Sequence, residues 1–296
     1  AAKVAILGLA GVGLNIALGM GGMVSFGHAA FFGLGGYAAG IAATHAFEGT
    51  PVMAWPVEIG GTDAMPAIWL AAVVMGAVAA LGIGAVSLRT KGVAFIMITL
   101  AFAQMVYYFA ISWPDYGGED GLPIYIRNRF PGVDVDSPLG FFALAWGALA
   151  VGLLLMARLQ VSRFGQALAM ARMAPERLET SGIAARPVML AGFVVSGAVT
   201  ALAGALFADL NGFVGPSMLS WHRSGEIMIL VILGGVGRLA GPVLGALVFV
   251  ALETWLGGLT DRWQFFLGLI LLGLVLFAKG GLMGLVDRAT ARSVRP

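Results

Sequence analysis

Residues 233–246 read LGGVGRLAGPVLGA, between the apolar runs EIMILVIL (226–233) and VLGALVFVALETWL (243–256). Gly235-x-Gly237-x-x-Ala240 fits the dinucleotide-binding pattern, with Glu253 near the distance of a ribose-binding acid. The same letters also describe a break between two membrane segments. A dinucleotide site needs a soluble sheet alternating with helices and an acid at the end of the next strand. Here every flanking element is taken as long enough to span lipid, and Glu253 lies inside an apolar run. The short motif is nonspecific by itself, and the membrane break is the reading adopted.

Composition supports that choice. The chain has 296 residues, 59% hydrophobic and only 11% charged, with a mean hydropathy of +0.94. A soluble domain carries about 25% charged residues, so this chain cannot cover a globule of its size with polar surface. The lipid bilayer is its natural solvent. A net charge of +2 gives no reason to expect a nucleic-acid partner. With no cysteine, disulfides and thiol chemistry are excluded, and three separated histidines (28, 45, 222) give no zinc-site pattern. The 45 glycines are interleaved with Leu, Val, Ile and Phe, as in membrane helices that pack through small residues. The chain opens AAK without Met, as expected after processing or trimming, with no cleavable signal peptide visible.

Spans of about 20 apolar residues fall at 4–22, 23–46, 66–88, 92–113, 138–158, 187–209, 225–256 and 263–279. The fold class expected is an all-α integral membrane protein, a polytopic bundle of about 8–10 segments with one or two broken or re-entrant elements. Lys and Arg distribution sets its orientation. The 46–65 connection has acids but no Lys or Arg and is assigned outside, so the LRTKG turn (88–92) lies inside. The 114–137 loop carries Asp115, Glu119, Asp120, Asp134 and Asp136 against two Arg, and follows outside. Segment 159–186, with Arg163, Arg172, Arg177 and Arg186, lies inside, as does the 280–296 tail with Arg288, Arg292 and Arg295.

By parity, 225–256 must then begin and finish outside. A break at Gly234–Pro242 achieves this, with a turn near Arg238 and a return helix starting around Pro242. If Lys3 lies inside, segment 23–46 faces the same problem, and GMGGMVSFGHAAFFGLGGYAAG (19–40) becomes a second broken element.

Catalytic signatures are missing. No G-x-x-x-x-G-K-[ST], G-x-S-x-G or H-E-x-x-H occurs, and acids are mostly confined to loops. His28, Arg238 and Glu253 are the main ionisable residues in the spans; Asn15, Thr99 and Gln104 are the notable neutral polar ones. An ion-coupled carrier would want acids near the midplane, so energy from another polypeptide is expected. His28 has two readings, a hydrogen-bonded packing residue or a neighbour of a translocation path. Asn15 and Gln104 carry the same ambiguity. Between spans, Pro175, Glu176 and Gly182 outline a short amphipathic helix at 175–181 suited to docking a cytoplasmic partner, or else a solvated loop.

Several blocks resemble the permease subunits of ABC importers for branched-chain amino acids and related solutes. They are GLNIALGMGGMVSFGHAAFFGLGGYAAG (13–40), RTKGVAFIMITLAFAQ (89–104), YGGEDGLP (116–123), the long stretch from Ser162 to Leu206, EIMILVILGGVGRLAGPVLGA (226–246) and KGGLMGL (279–285). Their order is more similar to the M-type than to the H-type permease. The resemblance implies one transmembrane permease domain over 1–296, with a cytoplasmic coupling loop at 159–186. It implies a second permease subunit, two ABC ATPase subunits and a periplasmic solute-binding protein in a bacterial inner membrane. No cofactor is expected in this chain; ATP and Mg belong to the ATPases. On this resemblance Arg163, Phe164, Gly165, Arg172, Glu176 and Gly182 are assigned to coupling. Asn15, Ser25, His28, Thr99 and Gln104 are assigned to the pathway, and Gly234, Gly235, Gly237, Gly241 and Pro242 to the re-entrant break. A secondary carrier or a channel working without ATPases is the alternative.

Overall fold

The computed structural model describes residues 1–53, 59–125, 127–259, 262–277 and 280–284. Its helices are α1 (Ala2–Asn15), α2 (His28–Glu48), α3 (Met65–Ser87), α4 (Val93–Ile111), α5 (Pro138–Val161), α6 (Arg163–Met173), α7 (Pro175–Thr180), α8 (Ala185–Asn211), α9 (Trp221–Gly234), α10 (Gly241–Gly257) and α11 (Trp263–Phe277). A π-helical turn, Ile16–Met20, continues α1. Extended structure among the described residues is confined to very short pairs, such as Leu122–Pro123 against Phe213–Val214. The chain is a polytopic α-helical membrane protein. Among the described residues, five helices are long and apolar enough to cross a bilayer, α1 being counted with its π-helical turn.

Local sequence explains several helix starts. Pro138 suits the first turn of α5, and the Ser137 hydroxyl accepts from Gly140 N at 3.0 Å. Ser162 does the same for α6 through Gly165 N, also at 3.0 Å.

Small residues decide which helices lie at the centre. Of its most apolar window, α1 buries 94% and α8 67%, whereas α4 buries 22%. Between α2 and α8 the backbones touch: a Cβ on Gly204 would fall onto the Phe32 carbonyl, and one on Gly35 onto the carbonyl of Ala201. Without a hydrophobic force between helices in lipid, such close approach gains the dispersion contacts that hold the bundle. The outer helices leave Leu70, Val74 and Val78 of α3 and Met97 and Met105 of α4 exposed.

The 225–256 region is broken. Helices α9 and α10 have 14 and 17 residues, roughly 21 and 25 Å at 1.5 Å per residue, each short of the ~30 Å hydrocarbon thickness. They fold back on each other, with Gly245 against the Leu230 carbonyl and Gly234 against Gly241.

The N-terminal expectation needs correcting. Helix α2 is continuous over 21 residues, and the irregular backbone lies before it, at 21–27. Lys3 is not at the end of the bundle that holds 159–186. Its ammonium pairs with Glu253 at 2.8 Å near the end of α10, while Gly19 and Gly21, at the opposite end of the same run, meet Arg172 and Leu168 of α6. The premise for breaking segment 23–46 therefore fails, and one interruption between two spans suffices. Segment 159–186 also holds more helix than expected, since α6 precedes α7. Its signal was the spacing of Gly165, Leu168 and Ala171, which α6 buries. Most of the 280–296 tail lies outside the described residues.

Candidate functional site

The break between α9 and α10 is held by residues far away in sequence. Gly235 and Gly237 have φ of +118° and +79°, in the region that L side chains avoid. The turn's polar groups then need partners, because backbone at membrane depth must be satisfied by protein or water. Asn15, fully buried at the end of α1, supplies two. Its Nδ2 donates to the Arg238 carbonyl at 2.9 Å, and its Oδ1 accepts from Gly237 N at 2.8 Å. Gln160, at the end of α5, donates to the Gly237 carbonyl at 3.2 Å. Pro242 meanwhile packs against Gly11 of α1.

The π-turn joins the same assembly. A π-turn has one residue more per turn than the α-helix and disturbs its i→i−4 ladder. Here Arg172 of α6 donates from Nη1 to the Gly19 carbonyl at 2.6 Å. Gly19 also lies against Gly237, so closely that a Cβ would stand 2.6 Å from its nitrogen. Arg172, Gly19, Asn15 and Gly237 thus form one continuous set of contacts from α6 to the break.

The other residues singled out fall into separate groups. His28 is fully buried, its ring edge-on to Phe31 and Phe193 at 5.4 and 5.8 Å between centroids. Ser196 Oγ donates to the Gly13 carbonyl at 2.6 Å. That commits its one proton, so His28 Nε2, 2.7 Å away, is the donor to Ser196. Ser25 and Thr99 organise the irregular 21–27 segment: Ser25 Oγ accepts from Gly27 N, and Thr99 Oγ1 accepts from Phe26 N. Gln104 is half-buried on α4. The structure does not gather Asn15, Ser25, His28, Thr99 and Gln104 around one cavity.

In segment 159–186, Arg163 opens α6 and is exposed, Phe164 is half-buried, and Gly165 is buried because a Cβ would strike the Leu159 carbonyl. Glu176 is exposed in the first turn of α7. Gly182 follows that helix with φ +85°, and Leu178 anchors it between Ala171 and Ala185.

Beyond Gln160 and Ser196, sequence reasoning also missed Ser224, Asp209 with its partner Asn128, and Arg223. Ser224, at the start of α9, donates to the Phe26 carbonyl at 2.6 Å and accepts from Ala29 N at 2.8 Å. It caps α2 from another helix, since α2 has no side-chain cap of its own. Asp209, buried at the end of α8, accepts from Asn128 Nδ2 at 2.5 Å. Arg223 pairs with Glu226 at 2.6 Å and lies over the Phe207 ring at 5.0 Å. An acid within the apolar run ALFADL was the available signal for Asp209.

This is the fold of a helical membrane permease, with several of its buried polar groups holding interrupted backbone. The chain belongs to the family described as branched-chain amino acid transport system, permease component, which matches residues 1–277. It is 23% identical to the high-affinity branched-chain amino acid transport system permease protein LivM of Escherichia coli K12, with 92% of this chain and 66% of that protein covered. The corresponding protein of Salmonella typhimurium is 22% identical over the same shares. The autoinducer 2 import system permease protein LsrC of Salmonella paratyphi B is 26% identical, over 75% of this chain and 65% of its own length. The chain thus spans a little under two thirds of the length of these curated relatives. No solved structure matches it.

Proposed function

We propose that this chain forms half of the translocation pathway of an ATP-driven importer in a bacterial inner membrane, beside a second permease subunit. Two cytoplasmic ATPases, holding ATP and Mg, engage α6 and α7, and a periplasmic binding protein delivers the solute. Branched-chain amino acids or related small solutes, such as amides, urea or aromatic acids, are the cargo. Family membership sets this frame; the observation that carries the mechanism is the link from Arg172 to Gly19 and on to Gly237.

Helix α6 is capped at its start, seats Leu168 against Gly192 of α8 and shares the Ala171–Leu178–Ala185 cluster with α7, so α6, α7 and the base of α8 move together. A push on α7 reaches the Gly19 carbonyl through the Arg172 guanidinium. From there, backbone contact and the Asn15 amide carry it to the break. The turn at 235–240 shifts relative to α9 and α10 and alternates the pathway between outward- and inward-facing states. ATP binding thereby does work in a chain with no phosphate-cradling loop.

Recovery of the tagged chain from its native membrane in mild detergent, with mass spectrometry of its companions, tests the assembly. Two nucleotide-binding subunits and a second permease are expected. Copies of this chain alone, with transport intact, would instead mean a secondary carrier or a channel. Glu176→Lys tests the coupling surface: exposed in the first turn of α7, it should insert and fold normally yet stimulate ATP hydrolysis and transport at least about tenfold less, in line with the few kcal/mol that one mismatched interface charge costs. Full transport by the folded variant would remove α7 from the coupling role.

A further inference from the structure

A cavity of about 410 Å³ lies at the α6–α7 end of the bundle, between the α3–α4 turn, the irregular 21–24 segment and the start of α8. Its charged lining is Arg89, Lys91, Arg172 and Arg186 against the single carboxylate Glu179. Arg172 is engaged with the Gly19 carbonyl. None of Arg89, Lys91 and Arg186 pairs with a carboxylate among the described residues. Four cations against one carboxylate leave the lining net positive, and an anion between them lowers their mutual repulsion.

The remaining wall is apolar, formed by Val24, Phe95, Ile96 and Met189. The turn at 88–92 connects two membrane-length helices, so the cavity stands at a membrane surface. A basic rim above an apolar wall at that depth matches a molecule with a phosphate head and a hydrocarbon body. A free phosphate would use the rim and gain nothing from the wall. We propose that this cavity binds the phosphodiester headgroup of an anionic phospholipid, with the first methylenes of the lipid against Phe95 and Met189. Arg89 and Lys91 reach it from the α3–α4 turn, and Arg186 from α8. The lipid then clamps the base of α8 to that turn. This inference stands independently of the importer reading.

The full chain, purified in a neutral detergent, is titrated with phosphatidylglycerol and with phosphatidylcholine, and bound lipids are counted by native mass spectrometry. One phosphatidylglycerol per chain is expected to bind in preference to phosphatidylcholine. The Arg89→Gln/Lys91→Gln double variant should weaken it by about fivefold for each cation removed. Arg127→Gln/Arg129→Gln, which removes the same charge from the 114–137 loop, should leave it unchanged. Arg186→Gln, on a separate element, should weaken binding likewise and serves if the turn variant does not fold. Equal binding of phosphatidylcholine, or equal weakening by the 127/129 variant, would overturn the site. Displacement of the lipid by excess inorganic phosphate would show a soluble anion as occupant and overturn the lipid assignment.

Discussion

Asn15→Leu is expected to destabilise the protein by roughly 2–6 kcal/mol and to abolish transport. Leucine keeps the branching and the number of side-chain heavy atoms, but its methyls need more room than the amide, so overpacking adds to the loss. The Gly237 N–H and the Arg238 carbonyl both lose the Asn15 amide. An unsatisfied buried backbone group costs about 1–3 kcal/mol, and two are created at once. The turn has no regular partner to fall back on, because Gly235 and Gly237 hold it outside helical geometry. Thermal unfolding in detergent, followed by size-exclusion of the surviving fraction, reads the stability change. Transport by reconstituted, folded protein reads the functional one. A variant as stable and as active as the parent would mean that water satisfies the turn, and Asn15 would lose its role as its holder.

Gly19→Ala is expected to damage the protein by adding a single methyl group where the π-helical turn meets the break. Its Cβ would stand 2.6 and 2.7 Å from the nitrogen and Cα of Gly237 and would overlap Asn15 Oδ1. The first two atoms are backbone, so the break itself has to move. Overpacking typically costs about 1–3 kcal/mol, and this site belongs at the upper end. An unfolding midpoint lower by about 5 °C or more follows. Gly82→Ala on α3 is the matched control: nothing stands within 4 Å of its added Cβ, and alanine gains about 1 kcal/mol over glycine inside a helix. Its midpoint should stay or rise. If both variants fell equally, the damage would not come from contact between Gly19 and Gly237. The Arg172–Gly19–Gly237 route would then lack its central element.

The spans were legible because entry into a bilayer is decided by about 20 consecutive residues. The turn at 88–92 and the starts of α5 and α7 were legible too, through prolines and charges in the stretch itself. The interruption near 234–242 came from charge parity and from glycine and proline. Charge parity also produced an error. Lys3 is a single cation and was given an end of the bundle by assumption, whereas its ion pair with Glu253 fixes it at the other end. Helix α6 was missed because it is short and lies among charges, with its apolar positions facing α8 rather than lipid.

By itself the sequence determined the solvent, the rough limits of the main membrane segments, and the places where backbone could not continue as helix. Each is a local property, set by apolar content or by the conformational limits of glycine and proline. Only the tertiary structure decided what satisfies the interrupted backbone. Asn15 reaches Arg238 across 223 residues of chain, Ser224 reaches Phe26 across 198, and Arg172 reaches Gly19 across 153. Such pairs leave no periodic or local mark, because each depends on which helices small residues allow to touch.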